Sequence, residues 1–152
     1  MSTAGRRKLR FQSFDEVMPD VERLLVGHTT VGEWSLWQIC NHLATVLRRV
    51  VDLPASTVFD PSKFVGEEQK RGVMESGILP EGFPAPPEIV PNQTLDERQE
   101  AENLRQALAY YKASPGPVIP HRLFGPLTKQ EWDRLQCIHL AHHLSFAIPK
   151  AD

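Results

Sequence analysis

The sequence has no apolar run long enough to cross a membrane. A membrane-spanning helix needs about 20 consecutive apolar residues, and no stretch of the 152 residues approaches that length. The N-terminal region also lacks the apolar segment that is typical of a secretory signal peptide. We therefore expect a cytoplasmic protein with no membrane partner.

The sequence has only two cysteines, and its positively and negatively charged residues are nearly equal in number. The two cysteines, Cys40 and Cys137, are expected to be reduced and buried, because disulfides are rare in cytosolic chains. The formal net charge is −2, which gives no overall cationic field for binding nucleic acid. The small basic cluster RRKLR at residues 6–10 is interpreted as solvated, and residues 1–8 as a flexible tail. We expect no nucleic-acid partner.

No segment has a convincing β-sheet pattern, and no internal repeat of fixed period is present. The only biased region is rich in proline and lies between Asp52 and Gln93. A length of 152 residues with 41% hydrophobic residues corresponds to one globular domain with a single core. The sequence therefore predicts a single all-α domain over residues 1–152.

Four segments combine helical spacing of apolar residues with helix start or stop signals. Capping boxes begin at Ser13, Thr94 and Thr128. The predicted helices extend from Phe14 to Leu25, from about 33 to just before Pro54, from Leu95 to Lys112, and from 128 to Phe146. The second and third helices are joined by a long crossover, within which 62–75 is free enough of prolines for a short helix. An extended piece is predicted over 118–123. The layout predicts a four-helix bundle.

The last predicted helix carries His139 and His143 one turn apart. At about 100° per residue both fall on one stripe, which is expected to be buried, with Trp132, Leu135 and Phe146. Two imidazoles at this spacing can reach one cation and form the helical half of many zinc sites. A metal site needs a further ligand, and the best candidate is His42 in the second helix.

Three neutral imidazoles suit a late first-row divalent cation, with zinc or nickel preferred. Because no ligand is anionic, the cation keeps its full charge, which favours binding an external thiolate or hydroxide. The alternative is a non-catalytic bundle that binds a ligand or a partner helix and whose histidines are structural, each hydrogen-bonded inside the core.

Other histidines and the tryptophans receive different interpretations. His142 points off the stripe and is a candidate for a hydrogen bond to a metal ligand or for a proton carrier. His121, just before the last helix, faces either solvent or the end of the bundle, and solvent is the preferred interpretation. The three tryptophans, Trp34, Trp37 and Trp132, are interpreted as core aromatics, with the alternative that Trp34 or Trp132 lines the mouth of a pocket.

Two motifs taken together resemble the DinB-like (damage-inducible) superfamily. They are TVGEWSLWQICNHLA at residues 30–44, and HRLFGPLT at 121–128 with the later histidines at 139, 142 and 143. The resemblance covers residues 9–146 and is greatest to a branch of uncharacterised bacterial proteins. It implies a four-helix bundle with a long connection between the second and third helices, and a divalent metal held by His42, His139 and His143.

The same resemblance implies a function. Several branches of the superfamily are metal-dependent transferases that act with low-molecular-weight thiols, so we expect a thiol cosubstrate and a small electrophilic substrate. Many of those branches continue with a short polar stretch after the last histidines, whereas this chain has Leu144-Ser145-Phe146. A homodimer is also expected from the resemblance.

Overall fold

A computed structural model describes residues 5–54, 56–79, 95–117 and 119–150. Within these ranges the chain forms five α-helices and one two-stranded sheet. They are α1 (Val17–Val26), α2 (Leu36–Asp52), α3 (Glu67–Ser76), α4 (Glu97–Ala113), α5 (Lys129–Leu144), β1 (His28–Thr30) and β2 (Ala147–Pro149). The mainly helical class that the sequence predicts is confirmed. None of the helices in the described ranges has the length and the apolar character that spanning a bilayer would require.

Side-chain caps set several helix starts. Ser13 begins a 3-10 turn, Phe14–Glu16, that leads directly into α1, as the capping box predicts. The second helix starts later than predicted, because Gln38 accepts a hydrogen bond from the backbone of Ser35 and fixes Ser35 as the cap. The predicted cap at Thr94 lies outside the described residues, and Asp96 caps α4 instead.

Thr128 caps α5, the helix that carries His139 and His143. Its hydroxyl accepts a hydrogen bond from the backbone N–H of Glu131 at 3.1 Å, and Glu131 accepts one in return from the backbone N–H of Thr128. Thr128→Ala should lower the free energy of unfolding by about 1 kcal/mol, since it leaves a backbone donor without its cap. Chemical denaturation measures the loss. Thr128→Ser, which keeps the hydroxyl, should stay close to the unaltered protein, and equal losses in both variants would show that the cap is not the cause.

The main core is shared by α1, α2, α4 and α5. α2 packs most extensively against α4 and approaches α5 over a shorter stretch. The interior contains many leucines that are at most 1% exposed, namely Leu24, Leu36, Leu43, Leu47, Leu104, Leu140 and Leu144. Burying each leucine contributes about 1.5–3 kcal/mol, so these contacts stabilise the packing of the four helices.

A second apolar cluster lies on another side of α5. It joins Val73 of α3 and Phe124 to Leu135 and Ile138 of α5. The prediction of one buried stripe on this helix is therefore too simple. Trp132 and Leu135 are buried as expected, but His139 and His143 keep some exposed surface while residues on two other sides of α5 are buried. The reason is that α5 packs between two clusters instead of against one core.

The expectation that the chain has no sheet is wrong. β1 pairs with β2 in antiparallel register, with His28 opposite Pro149 and Thr30 opposite Ala147. Strands of three residues are too short to show an alternating pattern, and their pairing depends on a distant segment. The last helix also ends earlier than predicted, at Leu144, so that Phe146 lies in the turn before β2.

The basic segment at residues 6–10 packs onto the fold. Arg7 donates two hydrogen bonds to the carboxylate of Asp20, at 2.8 and 2.9 Å, and others to the carbonyls of Leu144 and Ala147. Arg6 donates to the hydroxyl of Ser145 at 2.6 Å. The interpretation of this cluster as solvated is therefore wrong for Arg6 and Arg7, because α1 and the end of α5 supply acceptors for them. The flexibility predicted for residues 1–8 stays a prediction, and residues 1–4 lie outside the described part.

The segment before α5 forms a tight turn. His121 and Gly125 exchange two backbone hydrogen bonds, at 2.8 and 3.0 Å, and Gly125 adopts a φ of +72°, which favours glycine. The extended piece predicted for 118–123 is thus replaced from His121 onward by this turn, and Val118 lies outside the described residues. In the crossover, the short predicted helix is present as α3, whereas residues 80–94 are outside the described ranges.

Candidate metal centre

Three histidines meet where α2 approaches α5. His42 lies within α2 and is 2% exposed, while His139 and His143 face it from α5. The Nε2 atoms of His42 and His139 are 3.3 Å apart. One nitrogen from each of the three rings can be chosen so that all lie within 4.8 Å of one another. The structure therefore brings together the three residues that the sequence indicates as metal ligands.

The separation of two of the three rings fits a metal ion. Zinc–imidazole bonds of about 2.0–2.1 Å at a tetrahedral angle place two ligand nitrogens about 3.3–3.4 Å apart. The separation of His42 Nε2 and His139 Nε2, 3.3 Å, matches that value. The group of His42, His139 and His143 could therefore hold a divalent cation. Three protein ligands leave a coordination position open, which is typical of catalytic and not of structural zinc sites.

The electrostatics favour the neutral form of the rings. Burial lowers the pKa of His139 well below its usual value, and the neighbouring His42 lowers it further. Burial also lowers the pKa of His143 well below its usual value, with His139 as the next cause. Neutral imidazole has the lone pair that a metal requires, so both rings are in the ligand form at neutral pH.

Trp34 forms one wall of the centre. Its ring stacks on His143 with centroids 5.4 Å apart and an interplanar angle of 17°, and it lies 5.0 Å from the ring of His42. The residue is half-buried and packs against the main core, so it is a core aromatic only in part and also lines the site, as the alternative interpretation allowed. Trp34 lies before the first residue of α2, so the helical spacing of apolar residues could not predict which way its side chain points.

A close contact between distant segments positions Trp34. The backbone N–H of Val31 donates to the carbonyl of Phe146 at 2.8 Å. Gly32 has a φ of +86°, and a Cβ there would lie 3.3 Å from the ring of Phe146. The segment before α2 is thereby held against the turn after α5, with Trp34 placed over the histidines.

His142 is turned away from the three-histidine group. The guanidinium of Arg6 contacts Nδ1 of His142 at 2.8 Å, and because arginine can only donate, Nδ1 is the acceptor. Burial, and next the charge of Arg6, lower the pKa of His142 to about 4, while a hydrogen bond with the backbone of Leu79 opposes the shift. The rings of His142 and His143 remain in perpendicular contact, 4.9 Å apart. A role for His142 in supporting a ligand or carrying a proton stays a prediction.

The sequence suggested that His121 faces solvent, and this prediction is wrong. Its Nδ1 accepts hydrogen bonds from the backbone N–H groups of Leu123 and Phe124, at 3.0 and 3.2 Å. Its ring packs against Phe124 and Trp132. Burial, and then Arg122, lower the pKa of His121 to about 3. The correction follows from the tight turn, which folds the ring back onto α5.

The remaining candidates are the cysteines and the other tryptophans. Cys40 and Cys137 are buried free thiols, as expected, and burial raises their pKa values to about 12 and about 11. Trp132 is a core residue, whereas Trp37 is half-buried and does not belong to either apolar cluster.

The comparisons with known proteins give one match. A sequence model of the family described as "Protein of unknown function (DUF1569)" matches residues 3–150. No curated protein and no solved structure gives a significant match.

Proposed function

The chain belongs to this family of unknown function, and we propose that it binds a divalent metal ion, zinc or nickel, through His42, His139 and His143. The observation that carries the proposal is the approach of one nitrogen from each ring to within 4.8 Å of the others. Imidazole ligands without a carboxylate are well suited to both metals. The depressed pKa values of His139 and His143 keep these two ligands neutral.

We further propose that the metal serves a transferase that joins a low-molecular-weight thiol to a small electrophile. The thiol loses its proton, its sulfur forms a bond to an electrophilic carbon, and that carbon either releases a leaving group or opens a double bond that takes up a proton. A cation with neutral ligands would lower the pKa of a thiol at its open position, so that thiolate is available at neutral pH. The chain itself supplies three neutral rings that orient the cation and an indole, Trp34, that covers His143. The resemblance of residues 30–44 and 121–128 to the DinB-like superfamily supports this reaction class.

The resemblance to the DinB-like superfamily also supports the proposal of a four-helix bundle. In that proposal α1, α2, α4 and α5 are the helices of the bundle, and α3 belongs to the crossover between the second and third of them. The homodimer and the cytoplasmic location stay predictions.

One contact favours a second candidate function, a non-catalytic bundle. At 3.3 Å the Nε2 atoms of His42 and His139 are within hydrogen-bond reach, so one ring can donate to the other without a metal. The histidines would then satisfy each other inside a binding or structural protein.

Metal analysis separates the two candidates. Protein purified without a chelating tag should contain close to one zinc or nickel per chain, or the metal-free form should take up one equivalent when titrated with either metal. Protein that contains no stoichiometric metal and takes up neither would overturn the metal centre and favour the non-catalytic bundle.

A spectroscopic experiment tests the thiol. Cobalt-substituted protein should develop a near-ultraviolet charge-transfer absorption when cysteine or 2-mercaptoethanol is added, because a thiolate enters the open position. A cobalt spectrum that both thiols leave unchanged would sink the transferase while leaving the metal centre intact.

A further inference from the structure

A cavity of about 220 Å³ lies next to the candidate metal centre, and His142 forms part of its wall. Its wall consists of residues 6–10, the turn after α3 at 77–79, and His142 and Ser145 near the end of α5. The ring of His142 touches that of His143. The cavity is therefore one imidazole ring away from a predicted metal ligand.

The wall of the cavity is strongly basic. Four of its residues carry a positive charge, namely Arg6, Arg7, Lys8 and Arg10, and among the described residues no carboxylate lines it. The chain as a whole has a net charge of −2, so this concentration of cations is local. Arg7 is already paired with the carboxylate of Asp20, so a bound anion would mainly offset the charges of Lys8 and Arg10.

Two of the cations are held in place by the fold. Arg7 is fixed by Asp20 and by the carbonyls of Leu144 and Ala147. Arg6 bonds to Ser145, and its guanidinium lies over the ring of Phe146 at 4.4 Å. These contacts organise the wall in advance, which lowers the entropic cost of binding a ligand.

The other two cations are available to a ligand. Lys8 and Arg10 are exposed, and neither forms an ion pair with a carboxylate within the described part of the chain. The only hydrogen bond from the guanidinium of Arg10 to a described residue goes to the neighbouring carbonyl of Leu9, at 2.9 Å. Both side chains can therefore turn towards an anion without breaking an ion pair of the described fold.

We propose that this cavity binds a small anion that carries a carboxylate or phosphate group. Arginine and lysine are the usual partners of both groups, and arginine can hold either one with two parallel hydrogen bonds. At roughly 30 Å³ per water molecule, a volume of about 220 Å³ has room for about seven waters, which is more than inorganic phosphate needs and enough for a small dicarboxylate. A nucleic-acid strand would need an extended basic groove, which a cavity of this size does not provide. The inference is independent of the metal, because it rests on different side chains.

The experiment uses the metal-free full chain, titrated with inorganic phosphate and separately with succinate at low ionic strength. Calorimetry should show saturable binding of at least one anion, and the amide NMR signals of Gly77, Leu79 and Ser145 should shift during the titration. The double variant Lys8→Ala/Arg10→Ala should raise Kd at least about tenfold, because two charge-assisted contacts are removed. The matched control is Lys63→Ala/Arg98→Ala, which removes two exposed cations that do not line the cavity.

The outcomes distinguish a site from a general charge effect. Weakening by Lys8→Ala/Arg10→Ala alone supports the cavity, and the anion that binds, phosphate or succinate, identifies the chemical class of the ligand. The proposal is overturned if the unaltered protein binds neither anion saturably, or if both double variants weaken binding equally. His139→Ala should leave anion binding intact even though it disrupts the metal centre, so a failure of one proposal is not mistaken for a failure of the other.

Discussion

Replacing any one of His42, His139 and His143 by alanine should lower the affinity for zinc or nickel by at least about 100-fold. This loss exceeds the roughly 10- to 100-fold loss of affinity that follows when a residue hydrogen-bonded to a metal ligand is replaced. Each substitution removes one of three neutral donors and leaves water in its place. The rings lie close enough, with nitrogens within 4.8 Å, for all three to bind one cation. Competition with a chromophoric chelator measures the affinity of each variant.

His142→Ala is the matched control for these variants, since it removes an adjacent imidazole from the same helix. The Nδ1 atom of His142 accepts a hydrogen bond from Arg6, and His142 is not part of the three-histidine group. This variant should keep its metal within a few-fold, with any loss confined to activity. If His142→Ala emptied the site while His143→Ala left it filled, the ligand set assigned to α5 would be wrong.

Trp132→Ala should lower the free energy of unfolding by about 3–5 kcal/mol, the range for removing a large aromatic from a core. The side chain is 1% exposed, and its indole N–H donates to the carbonyl of Ile119 at 3.2 Å. The substitution therefore opens a cavity and leaves a buried carbonyl without its partner. A domain is stable by only about 5–15 kcal/mol, so urea denaturation should show a large shift of the midpoint.

Trp37→Ala provides the control of the same residue type. Trp37 is half-buried on α2 and belongs to neither apolar cluster, so its loss should cost about 1 kcal/mol, a typical value for a single substitution. Similar losses for the two tryptophans would show that the burial of Trp132 does not determine its contribution.

The helices could be predicted from the sequence because their signals are local. Capping at Ser13 and Thr128 depends on residues three positions apart, and apolar spacing repeats within each helix. β1 and β2 could not be predicted, since each strand has three residues and acquires its hydrogen bonds from a segment far away in the chain.

The candidate site could likewise be predicted only in part. The i, i+4 spacing of His139 and His143 indicates a shared face, and the meeting with His42 agrees with the predicted ligand set. His121 was misplaced, and the role of Trp34 at the site could not be decided, because the directions of both side chains depend on backbone contacts in turns, at 121–125 and at Gly32. The packing of Arg6 and Arg7 was missed because their acceptors lie on α1 and beyond the end of α5.

Two contacts join the start of the chain to its end. β1 pairs with β2, and the backbone N–H of Arg7 donates a hydrogen bond to the carbonyl of Ser145. During synthesis on the ribosome these contacts can form only late. His42 and His139 are separated by 97 positions, which at 5–20 residues per second is a delay of about 5–20 s during synthesis. Throughout that interval a nascent chain has His42 but neither of its partners, and the basic wall at residues 6–10 has no α5 to close against. The proposed metal site and the proposed anion site can therefore be completed only after α5 has left the exit tunnel.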